Sequence, residues 1–121
     1  MTKTKVIAEM AYSHDGSTDI AKRIIEDAVG AGADAISIHI TSVPDYVSRF
    51  YKTGKGRVSA AKDDIPFYEY LDQISLSFVE WRNVVSFVRT FDIELLIMPN
   101  DVVSLKFATE LEPEAYVIPA S

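Results

Sequence analysis

An α/β fold built on a parallel sheet is what this sequence predicts, and three observations carry the prediction. Short apolar runs of strand character alternate with stretches whose apolar residues recur at helical spacing. The run Ala35 to Ile40 alternates strictly, with Ile36, Ile38 and Ile40 on one side and Ser37 and His39 on the other. The composition, 48% hydrophobic and 25% charged over 121 residues, is that of one modest globular domain with enough apolar mass for a core.

Each element follows in order. Val6 to Met10 is the first strand. Ser17 or Thr18 caps the next helix, whose stripe is Ile20, Ala21, Ile24, Ile25, Ala28 and Val29. Lys22 with Glu26, and Arg23 with Asp27, stand four apart on its polar side, and Gly30 and Gly32 stop it. Ala35 to Ile40 is the second strand. Residues 41–74 form a long connection with turn signals at Pro44, Gly54, Gly56 and Pro66, and a short helix is expected within 66–74. Ser77-Phe78-Val79-Glu80 has the form of a capping box. It opens a helix with a buried stripe of Trp81, Val84, Val85 and Val88, with Phe91 at its end. Leu95 to Met98 is the third strand. Asp101 or Ser104 starts a third helix to about Glu110, and Tyr116 to Ile118 begins a fourth strand.

Four strands and three helices amount to about half of a (β/α)8 TIM barrel, which typically needs roughly 250 residues. In such a barrel the outward strand face packs on helices and the inward face fills the lumen. The isoleucines of the second strand are therefore expected against helices, and Ser37 and His39 in the lumen. Half a barrel leaves the first and fourth strands with unpaired edges. Three readings stay open: a fragment of a longer chain, a barrel completed by dimerisation or by a second polypeptide, and a small open α/β domain.

The charge of -6 and the pI near 4.8 argue against a nucleic-acid or anionic-membrane surface. The absence of cysteine excludes disulfides and thiolate chemistry and fits a reducing cytoplasm. Met1-Thr2-Lys3-Thr4-Lys5 runs straight into the first strand and does not read as a signal peptide. No apolar stretch approaches the roughly 20 residues of a membrane span.

Glu9 is a carboxylate in an apolar strand, flanked by Ile7, Ala8 and Met10. Burial there disfavours its charge, which suits acid/base work, or else it pairs with a buried cation or caps a neighbouring loop. His14 stands in the loop after the first strand, where barrel sites form, or holds the turn with Asp15 and Gly16. His39 offers a donor and an acceptor to the lumen, or is a satisfied core residue. Two histidines without a third ligand at a recognisable spacing make no metal motif. Arg49, Lys52, Lys55, Arg57 and Lys62 form a basic run without an intervening acid. Lys52-Thr53-Gly54-Lys55-Gly56 can wrap an anion but lacks P-loop spacing, so a solvated loop is the plainer reading.

The run Ile7-Ala8-Glu9-Met10-Ala11-Tyr12-Ser13-His14-Asp15-Gly16 resembles the first-strand signature of the sialic acid synthase family, isoleucine-alanine-glutamate through to asparagine-histidine-asparagine-glycine. Gly32-Ala33-Asp34-Ala35-Ile36-Ser37-Ile38-His39 is similar to the family's glycine-alanine-aspartate-alanine-valine-lysine-phenylalanine-glutamine. The resemblance covers nearly the whole chain and implies that residues 1–121 are the N-terminal half of such a barrel. It implies condensation of phosphoenolpyruvate with an N-acetylated amino sugar in carbohydrate biosynthesis, in the cytoplasm. It also implies a divalent metal whose ligands lie outside this chain. Glu9 would lie in the active site as the acid/base group. His14, Ser37 and His39 would bind substrate, His39 standing where the family has a sugar-contacting glutamine.

The departures are as informative. Ser37 replaces a lysine, and Val117 a second lysine of the motif lysine-isoleucine-x-serine. Met98 replaces the threonine of threonine-proline-phenylalanine-aspartate, and Ala120 the fourth-strand serine unless Ser121 serves after a one-residue shift. Each charge-assisted bond to phosphate contributes roughly 1.5–3 kcal/mol, so losing several costs about three orders of magnitude in affinity or more. Two expectations result. One is a divergent synthase acting on a small-molecule sugar, as a homo-oligomer or with the remainder of its barrel. The other is a non-catalytic binding or assembly module that kept the fold and lost the phosphate site.

Overall fold

A computed structural model describes residues 2–50 and 66–120. Strands β1 (Ile7–Ala11), β2 (Ala35–Ile40), β3 (Glu94–Pro99) and β4 (Ala115–Tyr116) form one parallel sheet in chain order. The helices are α1 (Thr18–Gly30), α2 (Val43–Tyr46), α3 (Phe67–Ile74), α4 (Phe78–Val88) and α5 (Val102–Glu110). A parallel sheet that grows one β/α unit at a time is the arrangement of half a (β/α)8 barrel.

The helices begin where side chains satisfy the free amides of their first turns. Ser17 Oγ accepts from the Ile20 amide at 3.3 Å. Ser77 and Glu80 form the full reciprocal box, Glu80 Oε2 accepting from the Ser77 amide at 2.8 Å. Asp101 Oδ1 accepts from the Ser104 amide at 2.7 Å, which settles Asp101 as the cap of α5. Gly32, at φ 81, supplies the left-handed turn after α1, whereas Gly30 is still helical.

One core lies between the sheet and its helices. Ile36, Ile38 and Ile40 of β2 join Leu95 and Ile97 of β3 against Ala21 and Ile25 of α1, Trp81 and Val84 of α4, and Phe107 of α5. The isoleucines thus face helices, as their alternation requires. The α1 stripe is narrower than expected, because Ile20 is exposed. Phe91 falls beyond α4 and packs edge-on to Phe87.

The sequence reading misses by small amounts elsewhere. β1 is displaced by one residue, from the expected Val6 to Met10 to Ile7–Ala11, and β4 starts at Ala115 and keeps two ladder residues, with the Val117 amide still donating to the Ile97 carbonyl at 2.9 Å. The connection after β2 holds two helices, of which only α3 was expected. α2 arises because Pro44 enters its first turn and Asp45 accepts from Ser42 Oγ at 2.5 Å. Val43, Tyr68, Leu71 and Ile74 bury together and dock α2 on α3. Of the basic run, Arg49 stacks over the Tyr68 ring at 5.0 Å. Lys52, Lys55, Arg57 and Lys62 lie outside the described residues. No helix among the described residues is long and apolar enough to cross a membrane.

Candidate functional site

Strand register brings three of the expected residues to one face. Glu9 pairs with Ser37 across β1 and β2, Ser37 with Leu96 across β2 and β3, and His39 with Met98. These side chains point away from the helices, towards the lumen side. After Glu9 the register slips, Ala11 takes φ 46, and its amide donates to Glu9 Oε1 at 3.0 Å. That same oxygen lies 3.2 Å from His39 Nε2.

Glu9 is not the buried carboxylate that its apolar neighbours suggested. Its side chain is 48% exposed, because β1 is an edge strand with no neighbouring strand on its far side among the described residues. His39 is the more enclosed partner, at 16%. Burial pushes its pKa below the usual histidine range, against the pull of the Glu9 charge, so the imidazole is held neutral. Ser37 is sealed, and its Oγ has no hydrogen-bond partner among the described residues.

A second layer closes the carboxyl ends of the strands. Tyr12 Oη and Thr41 Oγ1 share a hydrogen bond of 2.6 Å, and Asn100 Nδ2 donates to the same Thr41 oxygen at 2.8 Å. Burial raises the Tyr12 pKa, while the bonds to Thr41 and Asn100 work against it. The Ser42 amide donates to Asp101 Oδ2 at 2.8 Å, tying the loop after β2 to the start of α5. Tyr12 also stands edge-on to His39, ring centroids 6.1 Å apart. Sequence reasoning did not single out Tyr12, Thr41 or Asn100. The signal that finds them is position, since each follows the carboxyl end of a strand, where β/α barrels build their sites.

His14 is not joined to this cluster by any hydrogen bond or ion pair among the described residues. It is fully buried, packs edge-on to Trp81 at 5.3 Å, and accepts the Gly16 amide on Nδ1 at 3.1 Å. Its geometry is that of a residue holding the turn. Burial lowers its pKa, and Nε2 has no partner.

A cleft of about 370 Å³ opens beside the cluster, between Thr41, Ser42 and Val43 on one side and Leu76, Ser77 and Glu80 on the other. Glu9, Ser37 and His39 do not line it. Ser77 and Glu80 are engaged in their cap and Ser75 Oγ on the Leu71 carbonyl at 2.6 Å, while the Asp72 carboxylate lines the cleft without a hydrogen bond or ion pair among the described residues. A divalent metal does not fit here. No group of three or more metal-ligating side chains occurs among the described residues, and Glu9 with His39 supplies two donors.

No family model matches the chain. It is 24% identical over 120 residues to the N,N'-diacetyllegionaminic acid synthase of Campylobacter jejuni, covering 99% of this chain and 36% of the relative. It is 29% identical over 79 residues to an uncharacterised protein of Methanocaldococcus jannaschii, covering 63% of this chain and 23% of that protein. Among solved structures, the N-acetylneuraminic acid (sialic acid) synthetase of Leptospira borgpetersenii, in complex with citrate, superposes with TM-score 0.71 at 22% identity, over 97% of this chain and 36% of that one. A putative spore coat polysaccharide biosynthesis protein E of Chromobacterium violaceum gives TM-score 0.75 at 18% identity, over 98% and 34%. These likenesses bear out the resemblance to sialic acid synthases and show a shared fold. The chain spans about a third of the length of the synthases it matches.

Proposed function

We propose that this chain is the first half of the barrel of a carbohydrate-biosynthesis synthase, of the type that makes sialic or legionaminic acids. The other half comes from further β/α units, in the same polypeptide or in a second copy. The reading is supported by similarity along the whole chain. The single observation that carries a chemical role is the Glu9 carboxylate, 3.2 Å from a neutral His39 at the lumen face.

In this reading an N-acetylated amino sugar enters at the carboxyl ends of the strands, and its carbonyl carbon bonds to the methylene carbon of phosphoenolpyruvate. Water adds to the enol carbon, and the bond from that carbon to the phosphate oxygen breaks as inorganic phosphate leaves. Glu9 Oε1 is held by the Ala11 amide and by the approach of His39, which fixes the carboxylate plane. Oε2 is left to exchange a proton with the reacting sugar oxygen. His39 orients Glu9 through Nε2 and presents Nδ1 to a sugar hydroxyl or amide.

The test uses the complete barrel, supplied with phosphoenolpyruvate and N-acetylmannosamine, with phosphate release and product mass as readouts. Turnover is expected, and Glu9→Gln should lower kcat by about 100-fold or more. Unchanged turnover in that variant removes Glu9 from the mechanism. A second reading, a binding module without chemistry, is favoured by the neutral stretch of Ser37, Leu96, Met98 and Val117 on the same strand parity. Sugar binding without turnover in the intact barrel would support it.

A further inference from the structure

The two open edges of the sheet complement each other. Among the described residues no strand covers the outer side of β1 or of β4. Both edges are apolar: Val6 and Ile7 are exposed on one, Tyr116 and Ile118 on the other, Ile118 to 87%. Their faces agree as well. Ala8 packs on the core, so by alternation Val6 lies on the helix side and Ile7 on the lumen side. Tyr116 pairs with Ile97 of the core, so Tyr116 lies on the helix side and Val117 on the lumen side. The amino ends of the two edges differ in sign. Lys3 and Lys5 lead into β1, each still exposed although held by a carboxylate, Asp34 and Glu94 respectively. Glu112 and Glu114 lead into β4. Arg89 holds Glu114, whereas the exposed Glu112 side chain has no hydrogen bond or ion pair among the described residues. In a barrel closed by unrelated strands these two edges never meet, and nothing requires them to match.

We propose that two copies of this chain close one eight-stranded barrel, β1 of each pairing in parallel with β4 of the other. The inference rests on the reading of the chain as half of a barrel, and it names the partner that supplies the rest. A twofold axis along the barrel makes the two seams equivalent, leaves no open edge and ends growth at two. At each seam Val6 and Tyr116 share the outer face, and Ile7 and Val117 the inner one. Burial of these side chains, with pairing of the free main-chain groups of both edges, drives association. Lys3 of one copy comes to the end of the seam where Glu112 of the other stands open. Such an exposed pair adds little affinity, but it favours the parallel sense, since antiparallel pairing carries the lysines to the far end.

The experiment is sedimentation velocity on the 121-residue chain across a wide range of concentration. A dimer in equilibrium with monomer is expected. Ile118→Asp should raise its dissociation constant by about tenfold or more. Glu112→Lys and Lys3→Glu should each weaken the dimer several-fold. An equimolar mixture of those two variants should recover the parent affinity, because only the mixed dimer sets opposite charges at both seams. Ile118 and Glu112 are exposed in the single copy, so changing them leaves its packing alone. Monomer at every concentration, oligomers that grow without limit, or a dimer indifferent to Ile118→Asp overturns the inference. A mixture no tighter than its two components does so too. A dimer that forms no product from phosphoenolpyruvate and N-acetylmannosamine upholds the inference and overturns the catalytic reading. Turnover by a monomer does the reverse.

Discussion

The imidazole of His14 meets Trp81 edge to face, ring centroids 5.3 Å apart and planes at 89°, so the loop after β1 is pinned to α4 by a histidine with no exposure to water. The turn that it holds needs a ring unprotonated at Nδ1. Nδ1 accepts the Gly16 amide, which a protonated Nδ1 cannot do.

Stability should therefore fall as the solution is acidified. Burial holds the folded pKa of both His14 and His39 below the unfolded value of about 6.5. Asp15 and Glu80 oppose the shift at His14, but burial is the larger cause. The unfolded chain thus binds protons that the folded chain refuses. Stability is complete above about pH 6.5 and is lost as pH falls below it. Urea midpoints measured between pH 7.5 and 5.5 should decline. His14→Asn, whose Oδ1 can take the place of Nδ1 towards Gly16, should flatten part of the decline. A midpoint independent of pH in the parent chain would contradict the account.

Gly16→Ala should be among the more damaging single changes. Gly16 has φ 73, and a Cβ there would stand 2.5 Å from the Gln73 carbonyl oxygen. Backbone strain and a clash with main chain add, and a cost of about 2 kcal/mol or more is expected. Equilibrium urea unfolding measures it, and a change under about 0.5 kcal/mol would mean that α3 does not sit over this turn.

The mouth network should behave as one unit. Thr41→Val keeps the shape and removes the oxygen shared by Tyr12 and Asn100. Thr41 is buried, so leaving its partners unpaired should cost about 1–3 kcal/mol. Tyr12→Phe combined with Thr41→Val should cost less than the sum of the singles, by about 0.5 kcal/mol or more. Strict additivity in thermal melts would show that the two hydroxyls act independently.

Ser37→Ala should leave the fold intact and stabilise it by up to about 1 kcal/mol, because it removes a buried hydroxyl that has no partner. A clear loss of stability would reveal a hydrogen bond to Ser37 that the described residues do not supply.

Much of this architecture was legible because it is local. The Ser77–Glu80 box and the isoleucine alternation of β2 are each decided within a few residues and formed as read, and of the two starts read for α5 it is Asp101 that caps. Glu9 shows the limit. Its neighbours in sequence are apolar, yet its exposure depends on whether another strand lies beyond β1, which no local pattern states. Tyr12, Thr41 and Asn100 are separated by long stretches of chain and meet only because three strands end at one level. Polar residues in turns are common, so nothing in their spacing marked them. α2 was hidden for a related reason, as one turn of helix carries too few residues to show a period.

The strand order also dictates the sequence of events by which the chain acquires its shape. Contacts that join β1 to β2 span 28 residues, and those that join β3 to β4 span 19, whereas the bonds from Thr41 to Asn100 and from Ser42 to Asp101 span 59. Closing the longest of these loops costs about 1 kcal/mol more in chain entropy than closing the shortest. Two β-α-β units are thus the early products of folding, and the seam between β2 and β3 is the late one. Pulse-labelling hydrogen exchange should find the amides bridging β2 and β3 protected last. The polar cluster at the strand ends straddles that seam, so ligand-binding competence should appear only in the final step, when two separately formed halves lock together.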